Sequence, residues 1–488
     1  MINISFKPKK RSDGVNVRAP MTKEAVAELL KITPDALEAF EKTYEVAALK
    51  ADSMSNNFFN INAQQMKADM QKDERDIETS TQNMLDRMER RIINELLAET
   101  KVYVFDGKEA KEISFPNVSK ENRVTAKEIM DLPEKCRPQL TGNLMTIEIN
   151  EQSSQILLWY YSEYMNNPDP QIRKEAYHHF RQGLDILDLD LLTYEIIGTN
   201  PNSIGVWFPA LVEAANKQDF FKIPATRIIK VPMPILQLTR LDYPQLSKST
   251  LRIVDGFCFR AFGLDEEKDY FIKTGTYSSK FDFRNTHVYG AKEVRELGEY
   301  LLFIHHQACQ MASPLNNKQI YGASTTNEWA VREFIKDKEN NPCIYKGMPL
   351  HTEYRVFVDF DTNEILGVNP YWDPDGMKQR LGHGSDADNP HQIHDYIIYQ
   401  MHEEILMKRY EQHKNTVCTH LLGMLPDFGM SGQWAIDVMQ NGDEFWIIDM
   451  SLAVNSALSH CVPQGKLKPI NENWIPKITV KEKSNGKD

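Results

Sequence analysis

Two aspartates interrupt apolar runs near the end of the chain, Asp437 in QWAIDVMQ and Asp449 in EFWIIDMS. A buried carboxylate without a partner costs several kcal/mol, so each must face a cation or a hydrogen-bond donor. A second chemistry is written into DYFIKTGTYSSKFDF at 269–283. There an apolar strand ends in Lys273, a turn of small residues follows (Thr274, Gly275, Ser278, Ser279), and Lys280 opens what reads as the next strand. Small residues let backbone N–H groups approach phosphate oxygens, and two ammonium groups offset phosphate charge. By itself a lysine at a strand end is more often a solvated edge residue than a phosphate ligand. A third group comes from NEWAVREFI at 327–335, with Glu333, Phe334 and Ile335, and from HTEYRVFVDF at 351–360, where Glu353 and Arg355 share a strand face with Phe357. Read alone, those two charges fit a structural ion pair as well as a ligand site.

The elements that must position these residues follow from the pattern. From about residue 200, apolar strand-like runs (ATRIIKV, DYFIKT, KFDF, EWAVREFI, EYRVFVDF and the closing pair) alternate with helices around 291–312 and 393–413, which makes an α+β domain. A long polar insertion, residues 371–392, separates two regular elements and is of the kind that carries function. The closing hairpin constrains the register. A two-residue turn at Asn441-Gly442 pairs Asp437 with Trp446 and leaves Asp449 on the opposite face. If the aspartates share a cation, a longer loop (441–443 or 440–444) or a bulge of the same effect is required.

Upstream, Lys7, Lys9, Lys10, Arg11 and Arg18 mark residues 1–20 as a basic, flexible arm. Residues 21–150 read as a mainly helical N-terminal region, with Thr33-Pro34-Asp35 as a helix start and Met66, Met70, Ile77, Met84, Met88, Ile92 and Leu96 as an apolar stripe; 101–150 is mixed and punctuated by prolines. A helical connection spans 151–199, the α+β domain spans 200–470, and 471–488 is a polar tail.

Composition bounds the function. The 488 residues are 41% hydrophobic, enough for cores in two or three domains. A formal charge of −12 argues against a broad nucleic-acid-binding surface. No run reaches the roughly 20 apolar residues of a membrane span, and MINISFKPKK lacks a secretory apolar stretch, so the expectation is a cytoplasmic protein without a membrane partner. The six cysteines form no C-x-x-C pair, so reduced, partly core thiols are expected. RIVDGFCFR places Ile253 where a nucleotidyl-transferase motif needs lysine, and His402-Glu403 is followed by Leu406 where a zinc-protease motif needs histidine. His383, Asp386, Asp388, His391 and His394 read as solvated loop residues.

The order of the pieces, a lysine with a small-residue loop, V-R-E-F-I, E-Y-R-V-F-V and a D-V-M hairpin ending in I-I-D-M, resembles the ATP-grasp superfamily over roughly 200–460. It is most similar to the branch noted for one arginine and two lysines and, in the closing hairpin, to D-alanine–D-alanine ligase. The resemblance implies an ATP-grasp domain of two α+β lobes preceded by a mainly helical N-terminal domain, with ATP and Mg2+ as cofactors. It implies that Lys273 binds phosphates under a 274–279 loop, that the backbone of Glu333, Phe334 and Ile335 meets adenine, and that Glu353 holds the ribose. Lys280 and Arg355 then act near the triphosphate or the reacting carboxylate, and Asp437, Asp449 and position 451 hold magnesium. Many members carry asparagine where this chain has Ser451, and a hydroxyl is a poorer magnesium ligand than an amide oxygen. The implied activity is ligation of an unidentified carboxylate substrate to an amine or other nucleophile acceptor through an acyl phosphate, releasing ADP and phosphate. The alternative is a nucleotide-binding assembly factor or interaction module.

Overall fold

The computed structural model describes residues 82–115, 124–139, 197–241, 246–315, 326–382 and 390–468, apart from a few positions within 241–246, with short helical pieces between 159 and 194. The chain divides into a unit over Phe6–Arg87, of which 82–87 are described and helical, and a unit from Met88 onward that contains everything below. The basic arm, the helix start at Thr33-Pro34-Asp35, the polar tail and residues 383–389 of the polar insertion lie outside the described residues.

Thirteen strands are described: β1 Lys101–Phe105, β2 Ala110–Ser114, β3 Phe221–Lys222, β4 Thr226–Lys230, β5 Tyr270–Thr274, β6 His287–Val288, β7 Glu328–Glu333, β8 Cys343–Ile344, β9 Met348–Pro349, β10 Thr352–Asp359, β11 Glu364–Pro370, β12 Gln433–Asn441 and β13 Glu444–Leu452. They make a six-stranded sheet in the order β2-β1-β4-β7-β5-β6, a five-stranded sheet in the order β11-β10-β12-β13-β3, and the small pair β8-β9. The α+β class expected from the pattern is what the chain adopts.

Strand alternation explains the five-stranded sheet. In β10 the side chains of Tyr354, Val356 and Val358 enter the main core, while Glu353 and Arg355 alternate with them. In β12 Trp434, Ile436 and Val438 join that core, and Asp437 falls between them. The helix Ile204–Ala215 buries Ile204, Trp207, Phe208 and Leu211 at helical spacing, and these pack with Ile228 of β4, Ala330 of β7 and residues of β10, β12 and β13 in one cluster. Tyr410, Val417 and Leu421 of the long helix Pro390–Met424 close it. One core therefore serves both sheets.

Four sequence expectations are corrected. Residues 21–150 are not helical throughout, because β1 and β2 form a hairpin and β1 pairs antiparallel with β4. The boundary at 200 therefore cuts a sheet, and the missed signal is Asp106-Gly107: the Asp106 carboxylate accepts the N–H groups of Lys108 and Glu109, and Gly107 lies at φ 101. KFDF is not a strand; Lys280–Asn285 is a 3-10 turn anchored by the Phe283 N–H on the Tyr345 carbonyl. The polar insertion contains the helix Pro374–Leu381, started by Asp373, whose carboxylate accepts the Gly376 N–H, with proline at the first helical position. The helix expected at 393–413 runs to Met424.

Candidate functional site: a charged cleft

The closing hairpin settles the register. Asn441 pairs with Glu444 across Gly442-Asp443, with Gly442 at φ 64, so the tight turn sits one residue later than an Asn-Gly turn. Pairing continues to Val438 opposite Ile447 and then slips: Asp437 stands opposite Asp449, and Ile448 has no partner. This bulge is the expected alternative to a longer loop, and it sets the aspartates directly opposite each other. Its packing cause is legible in β13, where Phe445, Ile447, Met450 and Leu452 are the core residues. The step of three between Ile447 and Met450 is one too many for a flat strand. Without the extra residue Asp449 would take a core position.

Each aspartate has a protein cation. Arg355, opposite Asp437 across β10 and β12, grips it through two bonds, Nε to Oδ1 at 2.8 Å and Nη2 to Oδ2 at 2.7 Å. Lys273 at the end of β5 reaches Asp449 with Nζ at 2.9 Å from Oδ1 and 3.1 Å from Oδ2. The two pairs are unequal in access. Side-chain exposure is 10% for Asp437 but 42% for Asp449, so one carboxylate is closed off and the other is open to the cleft. Burial alone would raise the Asp449 carboxyl, but Lys273, with Arg332 and Lys280, holds it below the ordinary value.

Lys280 differs from both. Among the described residues it has no ion pair or hydrogen bond; its ammonium lies 4.0 Å over the Tyr371 ring, which also carries the Arg355 guanidinium at 4.7 Å. Burial lowers its pKa to about 8, with Glu353 pulling upward and Arg355 downward. Burial raises Glu353 to about 7, opposed by Lys280. A weakly compensated ammonium and a carboxyl that is half-protonated near neutrality thus share one wall.

These groups line a cleft of about 890 Å³ counted to its open mouth. Of the residues singled out from the sequence, Lys273, Ser278, Lys280, Glu333, Phe334, Ile335, Glu353, Asp437 and Asp449 border it. Arg355 acts from behind Asp437. The remaining residues point elsewhere. Thr274 Oγ1 accepts the Tyr277 N–H at 2.9 Å, and Ser279, at φ 48, donates its hydroxyl to Gln307. Gly275 is pressed against Ser203 and Thr326, whose hydroxyls would lie 2.1 and 2.2 Å from an added Cβ. The 274–279 turn is therefore bonded into the domain, and only Ser278 of its small residues borders the cleft. Ser451 is on the cleft side of β13 but bonds Ser456 at 2.6 Å, and Asn455 accepts from Asn202 at 3.1 Å. The N–H groups of Glu333 and Phe334 already reach the Ala225 and Asp269 carbonyls, so of that trio the Ile335 N–H is the one without such a bond to a described residue.

Sequence reasoning gave no site role to Arg332, buried on β7 beside Glu333, or to the aromatic Trp372 next to Tyr371. An arginine inside an apolar strand was the available signal for the first; the second lay in a segment read as loop. Phe334, Ile335, Met348, Met439 and Ile448 add apolar surface to the lining of the cleft.

Among the described residues no group of three or more His, Cys, Asp or Glu side chains is placed to hold a metal. The donor set fits a hard cation that takes only one or two carboxylates and draws its other oxygens from a ligand or water, as magnesium does. No described helix is long and apolar enough to cross a membrane. All six cysteines are free. RIVDGFCFR lies on the helix Lys248–Ala261, where the Asp255 carboxylate accepts the Glu299 N–H at 2.8 Å. His305 is a core residue that accepts from Trp329 Nε1 at 3.0 Å.

No protein-family model and no curated protein sequence matches the chain. Among solved structures, C-terminally truncated Cdc123 from Schizosaccharomyces pombe is similar with a TM-score of 0.29 and 14% identity, covering 53% of this chain and 86% of its own. A second structure, Cdc123 from the same organism, gives 0.28 and 13%, covering 52% and 84%. Likeness of this size carries no argument about what the chain does.

Proposed function

We propose that the cleft binds ATP together with magnesium, in the manner of the ATP-grasp proteins the sequence resembles, and that the chain works as a nucleotide-dependent interaction or assembly module. The observation that carries the nucleotide reading is Lys280, a desolvated ammonium that bonds no carboxylate among the described residues, set beside a carboxylate that is open to the same cleft. Triphosphate oxygens would supply the missing counter-charge to Lys280 and share Lys273 with Asp449, and the apolar part of the lining would receive the base. Asp449 would hold the metal, whose charge would offset that of the phosphates.

The preference for a module over a ligase rests on Asp437 and Ser451. Asp437 is held by Arg355 in a nearly buried pair and the Ser451 hydroxyl is bonded to Ser456, so of the three residues aligned with magnesium ligands only Asp449, paired with Lys273 but 42% exposed, presents its carboxylate to the cleft. Ligation of a carboxylate to an amine is the second reading, favoured by Glu353 and Lys280, whose pKa values near 7 and 8 suit proton transfer at neutral pH. Calorimetric titration with ATP, with and without magnesium, followed by product analysis tests both. Magnesium-strengthened binding with negligible ADP release supports the module. ADP release that rises with added carboxylic acids and amines supports the ligase, and absence of binding under both conditions removes the nucleotide reading.

A further inference from the structure

The bulge at Ile448 decides whether Asp449 faces the cleft or the core, so whatever holds the bulge controls the site. A buried arginine, Arg332, reaches it from the other sheet. Arg332 lies on β7, is 4% exposed, and donates from Nη1 to the carbonyl of Ile448, the unpaired bulge residue. Its Nε donates to Thr226 Oγ1 of the neighbouring β4 at 3.2 Å, and that hydroxyl in turn donates to the Pro224 carbonyl at 2.8 Å. The guanidinium plane is also backed by the Phe208 ring at 5.8 Å. Two neighbours, Thr226 of the six-stranded sheet and Phe208 of the helix packed on it, therefore aim one N–H at one carbonyl of the five-stranded sheet. Among the described residues Nη2 has no hydrogen-bond partner.

We propose that Arg332 is a positioning residue, clamping the Ile448 bulge so that Asp449 stands opposite Asp437 on the cleft side. A bulge leaves a backbone group outside the ladder, and a buried carbonyl needs a donor. A charged donor held by Thr226 and Phe208 supplies it more rigidly than water would. Arg332 also adds positive potential at Asp449, acting with Lys273 on a carboxylate that remains open to ligand. The role in metal binding rests on the nucleotide reading above; the clamp itself does not.

The test separates the two. Amide hydrogen exchange of the ligand-free protein is followed in peptides spanning 444–452 and 352–359 for wild type, Arg332→Met, Arg332→Lys and Thr226→Val. Arg332→Met should speed exchange in 444–452 at least tenfold with little change in 352–359, Arg332→Lys should lie between it and wild type, and Thr226→Val should speed 444–452 at least threefold. Equal acceleration of both peptides, or none, overturns the clamp. Should Arg332→Met fail to fold, the lysine and valine variants decide by the same criterion, and wild-type exchange in both overturns it. Calorimetry with ATP then gives the ratio of affinities with and without magnesium, which should fall at least tenfold in Arg332→Met or, for the valine variant, at least threefold. A selective exchange effect in a protein whose wild type binds no nucleotide would uphold the clamp and sink the nucleotide reading. An unchanged affinity ratio despite a loosened bulge would overturn the clamp's role at Asp449.

Discussion

Lys280→Met should make the protein more stable and less able to bind nucleotide. The native cleft holds the ammonium with its pKa lowered from 10.5 to about 8, so the unfolded chain binds that proton more tightly than the folded one. At about 1.4 kcal/mol per pH unit the charged form is disfavoured by about 3 kcal/mol, and solvent reaching the cleft discounts this to on the order of 1–3 kcal/mol. Methionine keeps the stem over Tyr371 and removes the charge. Wild-type stability should rise as pH increases from about 8 to 10.5, because over that window the folded protein has released a proton the unfolded chain retains. The variant should lack that rise and exceed wild type at pH 7 by roughly 1–3 kcal/mol in urea unfolding. Its ATP affinity should drop at least tenfold, which is the trade expected where a site is strained for function. A variant less stable than wild type at pH 7, or one with wild-type affinity, would refute the claim that Lys280 is a weakly compensated charge awaiting an anion.

Glu353→Gln should change the pH profile in the other direction. The folded carboxyl is raised to about 7, so its contribution to stability is full below about pH 4.5 and lost as pH rises through 7; the difference between wild-type and variant unfolding curves should show that fall. Asp449→Asn should keep a hydrogen-bond acceptor for Lys273 while losing the open negative charge, so magnesium should strengthen ATP binding at least tenfold less than in wild type, as read by calorimetry. Gly275→Ala should lower stability by roughly 1–3 kcal/mol, the usual cost of forcing an atom into packed structure, because its Cβ would overlap the Ser203 and Thr326 hydroxyls; unchanged thermal unfolding would refute that packing.

The long-range logic of the site was legible because buried charge is conspicuous. Asp437 and Asp449 stood out in strands of Trp, Ile and Val, and requiring them to share a face was enough to demand a bulge or a longer loop. What sequence could not supply was the choice of partner. Carboxylates in such strands were read as metal ligands, yet Arg355 lies directly opposite Asp437 and satisfies both of its oxygens, a pairing that depends on β10 and β12 being neighbours. Small residues after Lys273 suggested a phosphate loop, but Gly275 and Ser279 serve close packing and a left-handed turn, demands that select the same residue types. β1 and β2 fall in the stretch read only as mixed, where the hairpin marked by Asp106-Gly107 was not recognised.

The central claim is that this cleft places magnesium and a nucleotide at Asp449. A crystal structure of the protein with a non-hydrolysable ATP analogue and manganese, with the metal located by its anomalous signal, tests it most directly. The account predicts a manganese peak at about 2 Å from an Asp449 carboxylate oxygen, the distance usual for such hard cations, with phosphate oxygens in hydrogen-bond reach of Lys273 and Lys280. A nucleotide or metal bound elsewhere, with Asp449 still paired with Lys273, would contradict it.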